Sequence, residues 1–494
     1  MKSAIRWIAG LLLLAMALSA VACGKSGENE TIDPIVTTTA AAGGDATTAT
    51  VPAETEPENP LDQLDFDQAP ITVVYWKDVE RPEFEAEEIN GNPVNDAIYE
   101  RNLQVEERLN VKLQFVPTAG NGGNINAYTN FVGNAYKAGE SEYDLLASYS
   151  RSTATCAING YCADMLSLDY LNFENPWWPS SLMDVVGIGD SIYFASGDAS
   201  VNVLHFMYAT YYNKDMIEEF KLEDPVTLVR EHKWTIAKMQ EMSKDVYQDL
   251  DNDGAKSAGD LYGTTVGNFH LDALYTGSGL RLVEKGEDEE ELIRISQDFF
   301  SEKAVNLCAT VGAWLQTQDV YNKTDPAAFV NGNCIFDINR CYLADQLQNV
   351  DWSYGILPVP MYDEEQEDYI SVVGNPFTLY GIYGNSQDTN RASAALECWA
   401  EAAYQTTTPA QFETTMKLKY SETSNESEMY DIIRTTVCFD MGRLFNNSLA
   451  AITDIFFAAV DKNQSWTTVS AQYTNILPKY ADKINKSFLD QQDQ

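Results

Sequence analysis

Three short apolar runs separated by two amphipathic stretches constrain this chain more than any other feature. Ile71-Thr72-Val73-Val74-Tyr75-Trp76 reads as a buried strand. After a Gly/Pro loop, Asn95 opens a helix through Leu109, with Ile98, Val105 and Leu109 on one stripe, and residues 111–116 alternate apolar with polar. A second helix over 128–137 leads to Tyr143-Asp144-Leu145-Leu146-Ala147, a third buried run. Strands separated by helices at this spacing imply a parallel sheet, whose ligand sites lie beyond the carboxyl ends of the strands. Those ends carry Trp76, Lys77 and Asp78 after the first strand and residues 148–151 after the third.

Further along, residues 191–194, 206–212, 334–338, 354–357 and 377–380 are strand-like. Helices are expected at 213–220, 235–248 and 290–310 and over most of the C-terminal hundred residues. No internal repeat occurs, which excludes a solenoid or propeller. At 494 residues the prior is two or three domains.

Charge narrows the partners. Lys and Arg number 32 against 74 Asp and Glu, a formal net charge of −42. So negative a surface repels phosphate backbones and anionic headgroups, which argues against nucleic acid and a polybasic membrane anchor and favours a neutral or cationic partner.

The N-terminus is a separate unit. Lys2 and Arg6 precede an apolar run over 8–18, and Ala20-Val21-Ala22-Cys23 follows, so residues 1–22 read as a secretory signal too short to span a bilayer. Cys23 resembles the lipidated cysteine of a bacterial lipobox, although Ala-Val-Ala also fits an ordinary A-x-A cleavage site. Residues 23–68 form a linker whose first part is rich in Thr, Ala, Gly, Glu and Pro and has too little apolar surface to fold.

Seven cysteines remain: Cys156, Cys162, Cys308, Cys334, Cys341, Cys398 and Cys438. At least one must be free, and Cys156/Cys162 and Cys334/Cys341 are near enough in sequence to pair, with connectivity left open. No CxxC occurs, and His205, His232 and His270 have no metal-type spacing, so zinc and thiol-redox chemistry are poorly supported. The sharpest motif is the acidic run 249–260. Asp249, Asp251, Asp253 and Asp260 occupy positions 1, 3, 5 and 12 of a calcium-loop pattern, with Gly254 at 6, the Ala255 carbonyl at 7 and Ser257 at 9. Asp260 in place of the usual glutamate shortens the last ligand, and a solvated acidic turn is the competing reading.

The order of these pieces resembles a known family. Signal and lipobox, linker, strand, helix "NDAIYERNLQVEERLNV", then "AGESEYDLLA", "YYNKDM", "KWT" and "YGILPVP" together look like an extracellular solute-binding protein of the carbohydrate-type family 1, in the maltose-binding-protein superfamily. The resemblance implies an α/β, two-lobed periplasmic-binding-protein-like fold (class II). Each lobe would be a mainly parallel sheet flanked by helices, and hinge strands near 198–206 and 357–372 would join them. Residues 69–200 and 360–406 would form the first lobe, and 201–359 and 407–494 the second.

It further implies a monomer held at the extracellular face of the bacterial cytoplasmic membrane by its lipid alone. That protein would deliver a sugar or oligosaccharide to an ABC importer permease. Calcium in the 249–260 loop would be structural. Ligand contacts map to Trp76, Asp78, Tyr149 and Arg151 in the first lobe, Arg340 and Tyr342 in the second, and Asn375 and Asp440. A sugar presents C–H faces that stack on aromatic rings and hydroxyls that need polar forks, which suits this set. Trp177-Trp178 reads as a loop plug and Trp234 as packing at a helix start. A surface glycoside-active enzyme, an adhesin or sensor subunit, and a binder of peptides or another solute are the alternatives.

Overall fold

The computed structural model describes residues 59–288 and 290–492. The expected signal, Cys23 and the linker as far as residue 58 lie outside the described residues. Among the described residues, no helix is long and apolar enough to cross a membrane. The body begins before the first strand, with a 3-10 turn at Pro60–Gln63 that buries Leu61 and whose Asp62 pairs with Arg108 at 2.6 Å.

In the first sheet, β1 (Ala69–Trp76), β2 (Val111–Thr118) and β3 (Leu145–Tyr149) are parallel with β1 in the middle, Val73 facing both Phe115 and Leu145. β1 is central and covered on both faces, so it reads as an almost unbroken apolar run. The crossovers are α1 (Pro93–Leu109) and α2 (Ile125–Ala138), and α3 (Ser150–Ile158) follows β3 directly. Asn92, not Asn95, caps α1. Its Oδ1 accepts the amides of Val94 and Asn95 at 3.0 and 3.2 Å, and Pro93 fits the first turn because it has no amide to satisfy.

The chain then crosses to a second sheet through α4 (Asn202–Phe206). β4 (Tyr208–Asn213), β5 (Tyr262–Thr265), the β6 (Val283–Lys285) and β7 (Ile293–Ile295) hairpin, β8 (Val320–Tyr321), β9 (Cys334–Arg340) and β10 (Tyr354–Leu357) follow. The sheet order is β10-β4-β9-β5-β8. β5 runs parallel to β8 and β9, while β4 runs antiparallel to β9 and β10, so this sheet is mixed. The return path supplies β11 (Ser371–Val372), β12 (Thr378–Ile382, antiparallel to β3) and β13 (Val437–Cys438, parallel to β11).

Several expected elements differ. Residues 198–206, expected as a hinge strand, contain α4. Only the flanks pair, Ala195 with Tyr380 and Met207 with Val373. Residues 191–194 are buried but form no strand beyond isolated bridges. The helix expected over 290–310 is β7, a 3-10 turn and then α5 (Glu302–Leu315). Ile293 and Ile295 alternate inward against Val283, and Ser301 caps the helix only from residue 302. The helix expected over 235–248 ends at Met242, because Asp319 collects the amides of Asp245, Val246 and Tyr247 and turns the chain.

α6 (Thr389–Gln405) packs on α1, α7 (Ser424–Thr435) on β10, α8 (Met441–Leu444) on α3 and on α9 (Ile452–Asp461), and α10 (Leu477–Gln492) on β7 and α3. The seven described cysteines are free thiols, six of them buried, so neither short-range pair is bridged.

Candidate functional site

The loop after β1 is held by a buried polar network. The Glu83 carboxylate accepts from Ser200 Oγ at 3.1 Å, from Tyr380 OH at 3.1 Å and from Asn202 Nδ2. Burial pushes its carboxyl above the ordinary range, against these donors and nearby Arg101. Arg101 donates to the Glu83 carbonyl at 2.8 Å and lies 3.9 Å over the Trp399 ring. The loop is thereby tied to α1, α4, β12 and α6, and it presents Glu80 and Arg81 to the second sheet. Arg81 reaches Asp345 at 2.7 Å and lies 5.4 Å over Tyr342.

Arg340, the last residue of β9, is 8% exposed. Its guanidinium sits among four rings, 4.8 Å from Phe269, 5.3 Å from Phe206, 5.8 Å from Tyr208 and 5.9 Å from Tyr342. Glu80 stands 3.9 Å away, and the buried Nε has no hydrogen-bond partner. Backbone must pass close by, since a Cβ on Gly374 would lie 3.1 Å from that Nε.

Beyond the end of β3, the Tyr149 ring meets Trp76 edge-on at 5.7 Å, and its hydroxyl lies against Gly122, where a Cβ would stand 3.2 Å away. Burial raises the Tyr149 hydroxyl, and the charges of Arg151, Arg340 and Arg443 oppose it, so three guanidinium groups converge on this ring. Arg151 Nε donates to the Arg443 carbonyl at 3.2 Å and its Nη2 to Thr453 Oγ1 at 3.1 Å. Arg443 pairs with Asp272 at 3.0 Å, and burial nevertheless pushes Asp272 up to about 6. His270, edge-on to Tyr208 and Phe269, is held neutral at about 3 by burial and by Arg340. The result is a largely buried cluster of aromatic rings and guanidinium groups drawn from elements of both sheets. An open groove of about 1100 Å³, lined by Asp164, Asp190, Lys285 and Glu291, lies apart from it.

No family model matches this sequence, and no curated protein does. Solved structures match along nearly their whole length. A cyclo/maltodextrin-binding protein complexed with maltotetraose aligns over 85% of this chain and 97% of its own at 12% identity, with a TM-score of 0.54. The maltose-binding periplasmic protein MalE of Listeria monocytogenes, in complex with maltose, aligns over 86% and 99% at 15% identity and 0.53. M. tuberculosis UspC aligns over 84% and 100% at 12% identity and 0.54. The fold is that of the maltose-binding proteins.

Within this two-lobed class II fold, the structure places Tyr149, Arg151, Arg340 and Tyr342 in one neighbourhood, the charges of Arg151 and Arg340 both acting on Tyr149 and Arg340 lying 5.9 Å from the Tyr342 ring. Trp76 is wholly buried, its indole N–H donating to Thr378 Oγ1 at 2.9 Å. Asp78 organises the neighbouring loop, its Oδ1 accepting the amides of Gly120 and Asn121 at 2.8 and 3.1 Å and its Oδ2 the Asn124 side-chain amide at 2.9 Å. The Asn375 carbonyl accepts from Ser150 Oγ at 2.8 Å. Asp440 is buried, accepts the amides of Leu282 and Gly442, each at 2.7 Å, and caps α8. Glu80, Arg81, Phe206, Phe269, His270, Asp272 and Arg443 join the cleft without a sequence motif. Of these, Glu80 and Arg81 follow the chosen Asp78 by two and three residues and Arg443 follows Asp440 by three. Outside the cleft, Glu397 accepts both indole N–H groups of Trp177 and Trp178, at 3.1 and 2.9 Å.

The 249–260 loop brings carboxylate oxygens of Asp249, Asp251 and Asp253 within 4.8 Å of one another. Asp249 accepts the amides of Asn252 and Gly254 at 2.7 and 2.9 Å, wrapping the chain around the three acids. The Asp253 amide lowers Asp251, yet burial and the charges of Asp253 and Asp260 leave it raised, as crowding of like charges requires. Asp260 uses its two oxygens on the amides of Leu250 and Ser257, closing the ends of the loop instead of joining the triad.

Proposed function

We propose that this protein is a substrate-binding protein that captures an extracellular sugar or oligosaccharide between its lobes and delivers it to an ABC importer. The carrying observation is Arg340 within four aromatic rings, faced from the first lobe by Tyr149, Arg151 and Glu80. Rings for C–H faces and forks for hydroxyls, converging from two bodies, are the chemistry of an enclosed sugar. Solved neighbours of the same fold, among them one bound to maltose and one to maltotetraose, support the class. Of the acids at the site, Asp272 pairs with Arg443 and Asp345 with Arg81, leaving Glu80, 3.9 Å from Arg340, as the one loosely held carboxylate, which favours binding over glycoside hydrolysis by two free carboxylates.

The lobes open without ligand and close upon it, driven by the ligand's higher affinity for the closed form. A thermal-shift screen over glycans and peptides, followed by small-angle scattering, tests this reading. A saccharide should stabilise and compact the protein and be recovered unchanged. A stabilising ligand that leaves the dimensions as they were, or that is cleaved, refutes it.

The same reading places the monomer at the extracellular face, tethered by a diacylglyceryl group on Cys23, which mass spectrometry of membrane-extracted protein would detect. It also assigns structural calcium to the 249–260 loop. Asp249, Asp251 and Asp253 would hold the ion with the Ala255 carbonyl and Ser257, and Asp260 would close the loop.

A further inference from the structure

Two of the guanidinium groups in the cleft lack a close carboxylate. Arg443 has Asp272 and Arg81 has Asp345. Arg151 donates to a carbonyl and a hydroxyl, both neutral. Arg340 has only Glu80, 3.9 Å away and 48% exposed, while its Nε, sealed from solvent, donates to nothing. The surrounding rings attract the cation through their faces, and the acceptor they add is a neutral one, the Tyr208 hydroxyl, not a carboxylate. Burying an unmatched charge is costly. In a chain with 74 acidic side chains against 32 basic ones, a carboxylate to match it was readily available.

Building on the sugar-binding reading, we infer that the solute is a carboxylate-bearing sugar of the uronate class. Its carboxylate docks on the fork of Arg340 with Arg151 as a second donor, and its ring lies against Phe269 and Tyr342, the two partly exposed rings of the cage. A planar carboxylate matches the parallel donors of one guanidinium. The net charge of −42 acts against an anion only at long range and is screened beyond about 10 Å at 0.1 M salt, whereas a contact pair in the cleft is not. The solute is then anionic, against the neutral or cationic partner that the overall charge favours.

Calorimetry on the purified chain tests this with di- to tetrasaccharides of galacturonate, glucuronate and mannuronate, their methyl esters, maltodextrins of equal length and sulfated disaccharides. At least one free uronate series should bind roughly tenfold or more tighter than its methyl ester and than any maltodextrin, with affinity falling as salt rises. Arg340→Gln should weaken binding by roughly ten- to a hundredfold, and Arg340→Lys should recover only part, because it keeps the charge and loses the fork. Should Arg340→Gln fail to fold, Arg151→Gln and the methyl esters on the wild type carry the test.

Equal binding of acid and ester, or preference for a sulfated sugar, overturns the carboxylate assignment. Maltodextrin binding with the uronates inert overturns it too but leaves the sugar reading standing. If no saccharide binds, both fall.

Discussion

Arg443 Nη1 lies 3.0 Å from Asp272 Oδ2, with the two side chains 5% and 7% exposed. The pair joins α8 to the short helix Asp272–Gly277. Removing one partner of a sealed pair strands the other charge. Arg443→Met should cost about 3 to 5 kcal/mol in denaturant unfolding at pH 7, and adding Asp272→Leu should recover most of it. A single variant as stable as the wild type would show that water reaches the pair.

Asp337 in β9 is sealed from solvent, and among the described residues the Asn339 side-chain amide is the group that donates to its carboxyl, at 3.1 Å. Burial pushes it up to about 7, with Asn339 pulling the other way. Between the ordinary carboxylate range and pH 7 the folded state therefore keeps a proton that the unfolded chain has released, so stability falls as pH rises through that window. Linkage sets this group's contribution at up to ~4 kcal/mol. Asp337→Asn should flatten the difference in unfolding free energy between pH 5 and pH 8. An unchanged pH profile would assign the effect to other acids.

Glu397 holds the Trp177-Trp178 corner, and Asn175 Nδ2 also donates to it at 2.6 Å. Glu397→Ala leaves two buried indole N–H groups unpaired and should cost about 2 to 4 kcal/mol, with a shift in tryptophan emission. Glu397→Gln, which keeps acceptor oxygen on the same frame, should cost less. Equal losses would mean that the side chain's volume, not its acceptors, matters.

Calcium titration should raise the melting temperature, and chelator should reverse the rise. Asp251→Asn should abolish that sensitivity while leaving solute affinity unchanged, because the loop lies outside the cleft. No calcium heat at millimolar concentration would reduce the loop to an acidic turn.

Local pattern carried a large part of this fold. The strand–helix–strand order of residues 69–149 is written in side-chain periodicity, which neighbouring residues set among themselves, and the sharp turn of the 249–260 loop follows from its Asp and Gly spacing. The resemblance that led to a two-lobed body rests on the order of such pieces. Where the chain turned on a distant partner, pattern failed. Asp319 stops the helix at Met242, and α4 fills a crossing where the resemblance implied a hinge strand.

The cleft was decided by tertiary structure alone. Trp76 and Arg340 both end strands and read alike in sequence, yet Thr378 takes the indole N–H of one while no acceptor meets the Nε of the other. A strand's sequence says which residue reaches its end. Whether that residue meets protein or the cleft depends on segments hundreds of positions away, such as β12 over Trp76 and Gly374 beside Arg340. Phe269, Asp272 and Arg443 carry no spacing signal because contacts between separate elements leave no period in a chain.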